Sequence, residues 1–155
     1  MTGFEVVRRS PLSAAEAWQR VTDWQRHEEF APLTRVTVDR DPMTGQETFV
    51  ARTALGPFGF DAVMVVTDSR PPSDTEPGVA RIVKKGRVVM GWAVLTVTPM
   101  GSESEVRWHE VARLRWTRGP VVTLVDRAVA VGFGRLLDGL LGLRGQQRSR
   151  LRFRR

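Results

Sequence analysis

The stretch from Arg118 to Gln147, RGPVVTLVDRAVAVGFGRLLDGLLGLRGQQ, constrains the fold of this chain more than any other. Its apolar content suggests a membrane anchor, but Asp126, Arg127, Arg135 and Asp138 interrupt it. The longest uncharged apolar run after Arg127 is AVAVGFG, far short of the roughly 20 residues a span requires. Val122, Val125, Val129, Phe133, Leu136, Leu140 and Leu143 recur at steps of three or four residues, which places them on one face of an α-helix. Arg127, Arg135 and Asp138 fall opposite. Gly119-Pro120 suits a helix start and Gly142 or Gly145 a helix end. The segment reads as a long amphipathic helix lying on something apolar, with its arginines in water.

What precedes it is mostly strand. FEVVRR comes first, then SPLSAAEAWQRVTD, where Ser13 and Glu16 form a capping-box signature for a helix over Ala14–Thr22. A second short helix fits Trp24–Phe30, stopped by Pro32. Six strands follow: LTRVTVD, ETFVART, FDAVMVVTDSR, VARIVKKG, GWAVLTVTP and EVRWHEVARLRW, separated by turns rich in Gly, Pro and Asp. The order predicts an α+β domain over residues 1–143, with a curved antiparallel sheet of about seven strands. A length of 155 residues suits a single core, and no repeat or linker divides it. Absence of cysteine excludes disulfides, Cys-ligated zinc and a thiol nucleophile. The first residues, MTGFEVVRRSPL, carry no apolar run of signal-peptide length, so the expectation is a cytoplasmic protein.

The helix pair SAAEAWQRVTDWQRHEEFAPLTRV and the late hairpin GWAVLTVTPMGSESEVRWHE resemble those of the START-like, or SRPBCC, superfamily, which includes polyketide cyclase/dehydrase and lipid-transport proteins. Trp18 and Asp23 stand where that family's helix-to-helix motif commonly has such residues. The resemblance implies a helix-grip fold: the sheet wraps around the C-terminal helix and a ligand cavity lies between them. It does not imply one activity, because cyclases, carriers and receptors share this frame.

Strand alternation selects the side chains that face the helix. A hairpin around MGSES pairing Val97 with Val106 also pairs Leu95 with Trp108 and Ala93 with Glu110, leaving Arg107, His109 and Arg113 outward. Phe49, Ala51, Thr53, Val36, Val38, Ala80, Ile82, Phe60 and Met64 join the inner set. The ligand-lining candidates are therefore Phe49, Thr53, Phe60, Met64, Leu95, Trp108, Val129, Phe133 and Leu136. Phe58 or Phe60, near the LGPFG turn, would gate the cavity mouth.

Two acids break the apolar lining. Glu110 follows Trp108 on the inner face, and Asp126 falls within the apolar arc of the helix. A carboxyl held against Trp and aliphatic groups has a raised pKa and can donate or shuttle a proton, so both are catalytic candidates. The structural alternatives are that Glu110 reaches water or pairs with Arg113 or Arg115, and that Asp126 favours the helix N-terminal dipole. His27, in RHEEF, has no second His at metal-ligand spacing and reads as part of a solvated helix face, so neither a metal nor another cofactor is expected.

Three functions fit. The first is a carrier of a hydrophobic or aromatic small molecule. The second is a cyclase/aromatase-type or dehydratase enzyme using a cavity carboxylate. The third is an RNA- or ribosome-associated protein acting through its terminus. The net charge of +7 resides mostly in residues 144–155, a tail with six arginines and no acid. Arg148, Arg150, Arg152, Arg154 and Arg155, with Leu151 and Phe153 interleaved, suit an anionic membrane surface, giving a peripheral protein, or RNA phosphates. A solvated, partnerless tail is the alternative.

Overall fold

The computed structural model describes residues 2–115 and 121–143, without the side chains of Thr2, Leu55, Leu114 and residues 121–126. Its elements run β1 (Thr2–Ser10), α1 (Ala14–Thr22), a short 3-10 helix (Trp24–Glu29), β2 (Thr34–Arg40), β3 (Glu47–Leu55) and β4 (Phe58–Arg70). Then come β5 (Gly78–Lys85), β6 (Val89–Met100), β7 (Glu103–Leu114) and α2 (Val121–Leu140). The strands form one antiparallel sheet in the order β1-β7-β6-β5-β4-β3-β2, the expected helix-grip architecture.

The local causes match the sequence. Ser13 Oγ accepts the Glu16 N–H at 3.3 Å and donates to the Glu16 carboxylate at 3.2 Å, which caps α1. α2 ends in a Schellman turn: Gly142 has φ 71°, the Leu143 N–H bonds the Asp138 carbonyl and the Gly142 N–H bonds that of Gly139. Between β3 and β4 the turn is tighter than LGPFG suggested. Leu55 pairs with Phe58 across Gly56-Pro57, so Phe58 belongs to β4.

The late hairpin adopts the expected register, with Val97 opposite Val106, Leu95 opposite Trp108 and Ala93 opposite Glu110. Leu95, Val97, Val106, Trp108, Ala80 and Ile82 lie in the core with Val36, Phe49 and Met64. Fully burying one such aliphatic or aromatic side chain contributes about 1.5–3 kcal/mol, so this face holds the sheet to the helices.

α2 departs from its expected packing in three ways. Leu136, Leu137, Leu140 and Leu141 are all buried, because α1, the 3-10 helix and β1 surround the C-terminal half. Val129 is 40% exposed rather than buried, as is its neighbour Val131 at 54%. Val129 stands one turn before half-buried Phe133 on the same stripe, so the helical phase holds while that part of the stripe lacks a cover. Asp138, read as solvent-facing, instead accepts a 2.6 Å charge-assisted bond from Arg8 Nε of β1. Gly134 leaves space for that arginine, since a Cβ there would lie 2.6 Å from Arg8 Nη2. Arg127 and Arg135 are exposed.

Candidate functional site

The polar centre of the concave face is Glu110 on β7, with only 3% of its surface exposed. Its partners are Lys84 and Trp108, not Arg113 or Arg115. Lys84 on β5 donates to Glu110 Oε1 at 2.7 Å, and Trp108 Nε1 donates to Oε2 at 3.0 Å. Trp108 reaches it because residues two apart on a strand share a face. Both carboxylate oxygens are thereby engaged, and the side chain has a fixed orientation. Glu110 is thus paired with a cation, but with the ammonium of Lys84 in place of the Arg113 or Arg115 guanidinium weighed from the sequence.

Lys84 was the residue overlooked. Ala80 and Ile82 point inward, so the two-residue period of β5 carries Lys84 inward as well. It is 9% exposed. The ion pair spans β6, which lies between β5 and β7, and β6 presents only Gly91 and Ala93 at the crossing. Gly91 pairs with Lys84 and Ala93 with Glu110. Gly91 has φ 151°, and a Cβ there would lie 2.0 Å from the Val111 carbonyl oxygen. The glycine is required by the backbone, because a Cβ there would strike the main chain of β7.

The other sequence-selected residues fall into distinct environments. Phe133 of α2 packs on Trp108 with ring centroids 4.4 Å apart, and on Phe4 at 5.9 Å. Leu95 and Leu136 are buried in the same core. Phe49 and Met64 are cross-strand partners, both buried, with Phe49 stacked on Trp24 at 4.7 Å. Thr53 is half-buried, shares a 2.9 Å hydroxyl contact with Thr34 and pairs with Phe60. Phe60 is 38% exposed and Phe58 80% exposed. Glu110, Trp108 and Phe133 are brought together; Val129 is not part of a packed wall. The side chain of Asp126 and the arginines of residues 144–155 lie outside the described residues.

Side-chain size changes along the concave face. Leu95, Val97, Val106 and Trp108 are buried where α1 packs over β6 and β7, and Trp108 also meets Phe133 of α2. Around Lys84 and toward the β3–β4 turn, the inward positions are Gly91, Ala93, Ala112, Ala62 and Ala51, interspersed with the larger Met64, Thr53 and Phe60. Beside this region a groove of about 880 Å³ runs between the segment after the 3-10 helix and α2. Phe30, Leu33, Thr34 and Ala54 line it together with Gly132 and Arg135 of α2. Leu33, 62% exposed with φ 60°, stands at its rim. No local motif marked this groove in the sequence, because its walls come from distant elements.

His27 is buried, contrary to the solvated face expected of RHEE. Its Nε2 lies 2.9 Å from the Val21 carbonyl and its ring packs on Trp24 at 5.4 Å. Burial lowers its pKa below 6.5, against the opposing effects of the Val21 carbonyl and Asp23. His109 lies outward, edge-on to Trp92 at 5.0 Å. Among the described residues no group of three or more His, Asp or Glu side chains is arranged to hold a metal ion. No described helix is long and apolar enough to cross a membrane.

No protein-family model matches the sequence, and no curated protein matches it. Solved structures do match in fold. A START superfamily protein from Mycobacterium smegmatis superposes with a TM-score of 0.70 at 11% identity, covering 91% of this chain and 97% of that one. A STAR-related lipid transfer protein fragment from Xanthomonas axonopodis gives 0.65 at 17% identity, covering 89% and 85%. An aromatase/cyclase from a Streptomyces species gives 0.63 at 11% identity, covering 91% and 92%. The chain has the START-like fold.

Proposed function

We propose that this protein binds a small hydrophobic or aromatic molecule, lipid-like or polyketide-like, between the concave sheet and the N-terminal half of α2. The observation that carries this reading is the uneven packing of α2. Leu136, Leu137, Leu140 and Leu141 of its C-terminal half are buried, whereas Val129 is 40% exposed, and the concave face intersperses Gly91, Ala93, Ala62 and Ala51 among larger groups such as Met64. A sheet face with small side chains, one buried polar pair and an incompletely seated helix suits an apolar ligand held by few polar contacts. Trp108, Phe133 and Met64 would supply its walls, and Phe60 and Phe58 its mouth. The fold likeness to a lipid transfer protein and to an aromatase/cyclase agrees with both a carrier and an enzyme.

The direct test is native mass spectrometry of protein purified from its own host. An apolar molecule retained at one copy per chain is expected, and persistent absence of any ligand, together with no binding of acyl or aromatic probes, would sink the proposal.

The second reading, a cyclase- or dehydratase-type enzyme, draws on the Lys84–Glu110 pair, which places an acid–base couple on the apolar face. Replacing Glu110 with Gln separates the two. A carrier loses affinity by the roughly 0.5–1.5 kcal/mol of one hydrogen bond. An enzyme loses about 10²–10⁴ in rate with binding largely kept.

A further inference from the structure

We propose that Lys84 is the recognition point for a neutral carbonyl oxygen on an otherwise apolar ligand, held ready by Glu110 and Trp108. This rests on the reading above and names the chemical class that the site selects. A lysine ammonium has three N–H donors, and among the described residues Lys84 makes one hydrogen bond, to Glu110. Two donors are left on a group that is 9% exposed. Burying an ammonium is costly, and a single ion pair offsets that cost incompletely. An acceptor from the ligand would complete the set.

Geometry agrees. Glu110 receives Lys84 on one oxygen and Trp108 on the other, so it restrains the lysine from a locked position. Gly91 and Ala93 put no bulky side chain on the β6 side of the ammonium, while its β4 neighbour, Met64, supplies an apolar flank. Trp108 and Phe133 stand beside the pair as a flat apolar wall.

Charge selects between acceptors. Lys84 and Glu110 already cancel, so a ligand carboxylate would bring an uncompensated negative charge to a buried site. A ketone or ester oxygen accepts from the ammonium without that penalty. The preferred ligand is therefore an aromatic or aliphatic ketone or ester rather than a free acid.

Three naphthalenes of one ring skeleton make the test: acetylnaphthalene, ethylnaphthalene and naphthoate, titrated calorimetrically into the full chain. Binding of acetylnaphthalene about tenfold or more tighter than ethylnaphthalene is expected, with naphthoate weaker than the ketone. In a Lys84→Met/Glu110→Leu double variant, which leaves no orphan charge, the ketone preference should vanish while ethylnaphthalene still binds. Equal affinity for ketone and hydrocarbon in the parent overturns the role of Lys84 but leaves apolar binding standing. Naphthoate binding tightest through Lys84 overturns the choice of a neutral acceptor. If none of the three binds, the apolar site itself is refuted and Lys84 has nothing to recognise.

Discussion

At the scale of single residues, Lys84 and Glu110 depend on one another. Removing only the lysine leaves a carboxylate that is 3% exposed without its cation. Lys84→Met should therefore destabilise the fold by about 3–5 kcal/mol, measured by urea denaturation. Adding Glu110→Leu should recover most of that loss, since an apolar pair of similar volume is often as stable as a buried ion pair. A single variant as stable as the parent would mean that the pair is not desolvated. His27 gives a second residue-scale prediction. Its folded pKa is depressed by burial, so its contribution to stability is complete above the unfolded value near 6.5. As pH falls below that value the unfolded chain takes up a proton that the folded chain resists, and stability declines until the folded ring also protonates. The difference in unfolding free energy between the parent and His27→Gln should narrow as pH drops from 8 to 5, and a pH-independent difference would show that the ring titrates freely. Burial of His27 was not legible locally, because RHEE looks polar whichever way it turns. Lys84 was legible, since the parity of Ala80 and Ile82 reaches it, but a lysine is normally left to solvent.

At the scale of elements, the strands could be read almost completely and α2 only by halves. Alternation and the MGSES turn define the β6–β7 register because a one-residue slip would put Arg107 and His109 into the core. The helical stripe specifies which residues of α2 share a face, but periodicity carries no information on where along its length that face finds a neighbour. Two glycines on the helix test the distinction. At Gly139 an added Cβ would lie 2.2 Å from the Phe30 ring, in the half where α2 is seated. Gly139→Ala should cost about 1–3 kcal/mol through overpacking, despite the better helix propensity of alanine. At Gly132 an added Cβ meets nothing within 4 Å, so Gly132→Ala should stabilise by about 0.5–1 kcal/mol. Equal responses at both sites in chemical denaturation would mean that α2 is seated uniformly, and the space proposed beneath its N-terminal half would be lost.

At the scale of the whole molecule, charge and fold occupy different parts of the chain. Residues 1–143 carry 18 basic and 17 acidic side chains, whereas residues 144–155 carry six arginines and no acid. The core closes before the tail begins: the Schellman turn at Gly142 ends α2, and Leu140 and Leu141 are its last fully buried side chains. Residues 144–155 contribute only Leu151 and Phe153 as large apolar groups, too few to extend that core. Truncation after Leu143 should therefore leave the thermal midpoint nearly unchanged, and apolar ligand affinity with it. Any retention on anionic vesicles should fall sharply in the truncated chain, because each arginine near such a surface contributes about 1 kcal/mol. In the intact protein that retention should weaken steeply with added salt, as should binding to RNA if phosphates are the partner. Vesicle and RNA binding compared in parallel, at low and high salt, tells the two surfaces apart. A large loss of thermal stability on truncation would place the tail against the body. Undiminished, salt-insensitive retention would move the contact to the apolar rim of Leu33 and Phe58, which are 62% and 80% exposed and need no arginine to meet a bilayer.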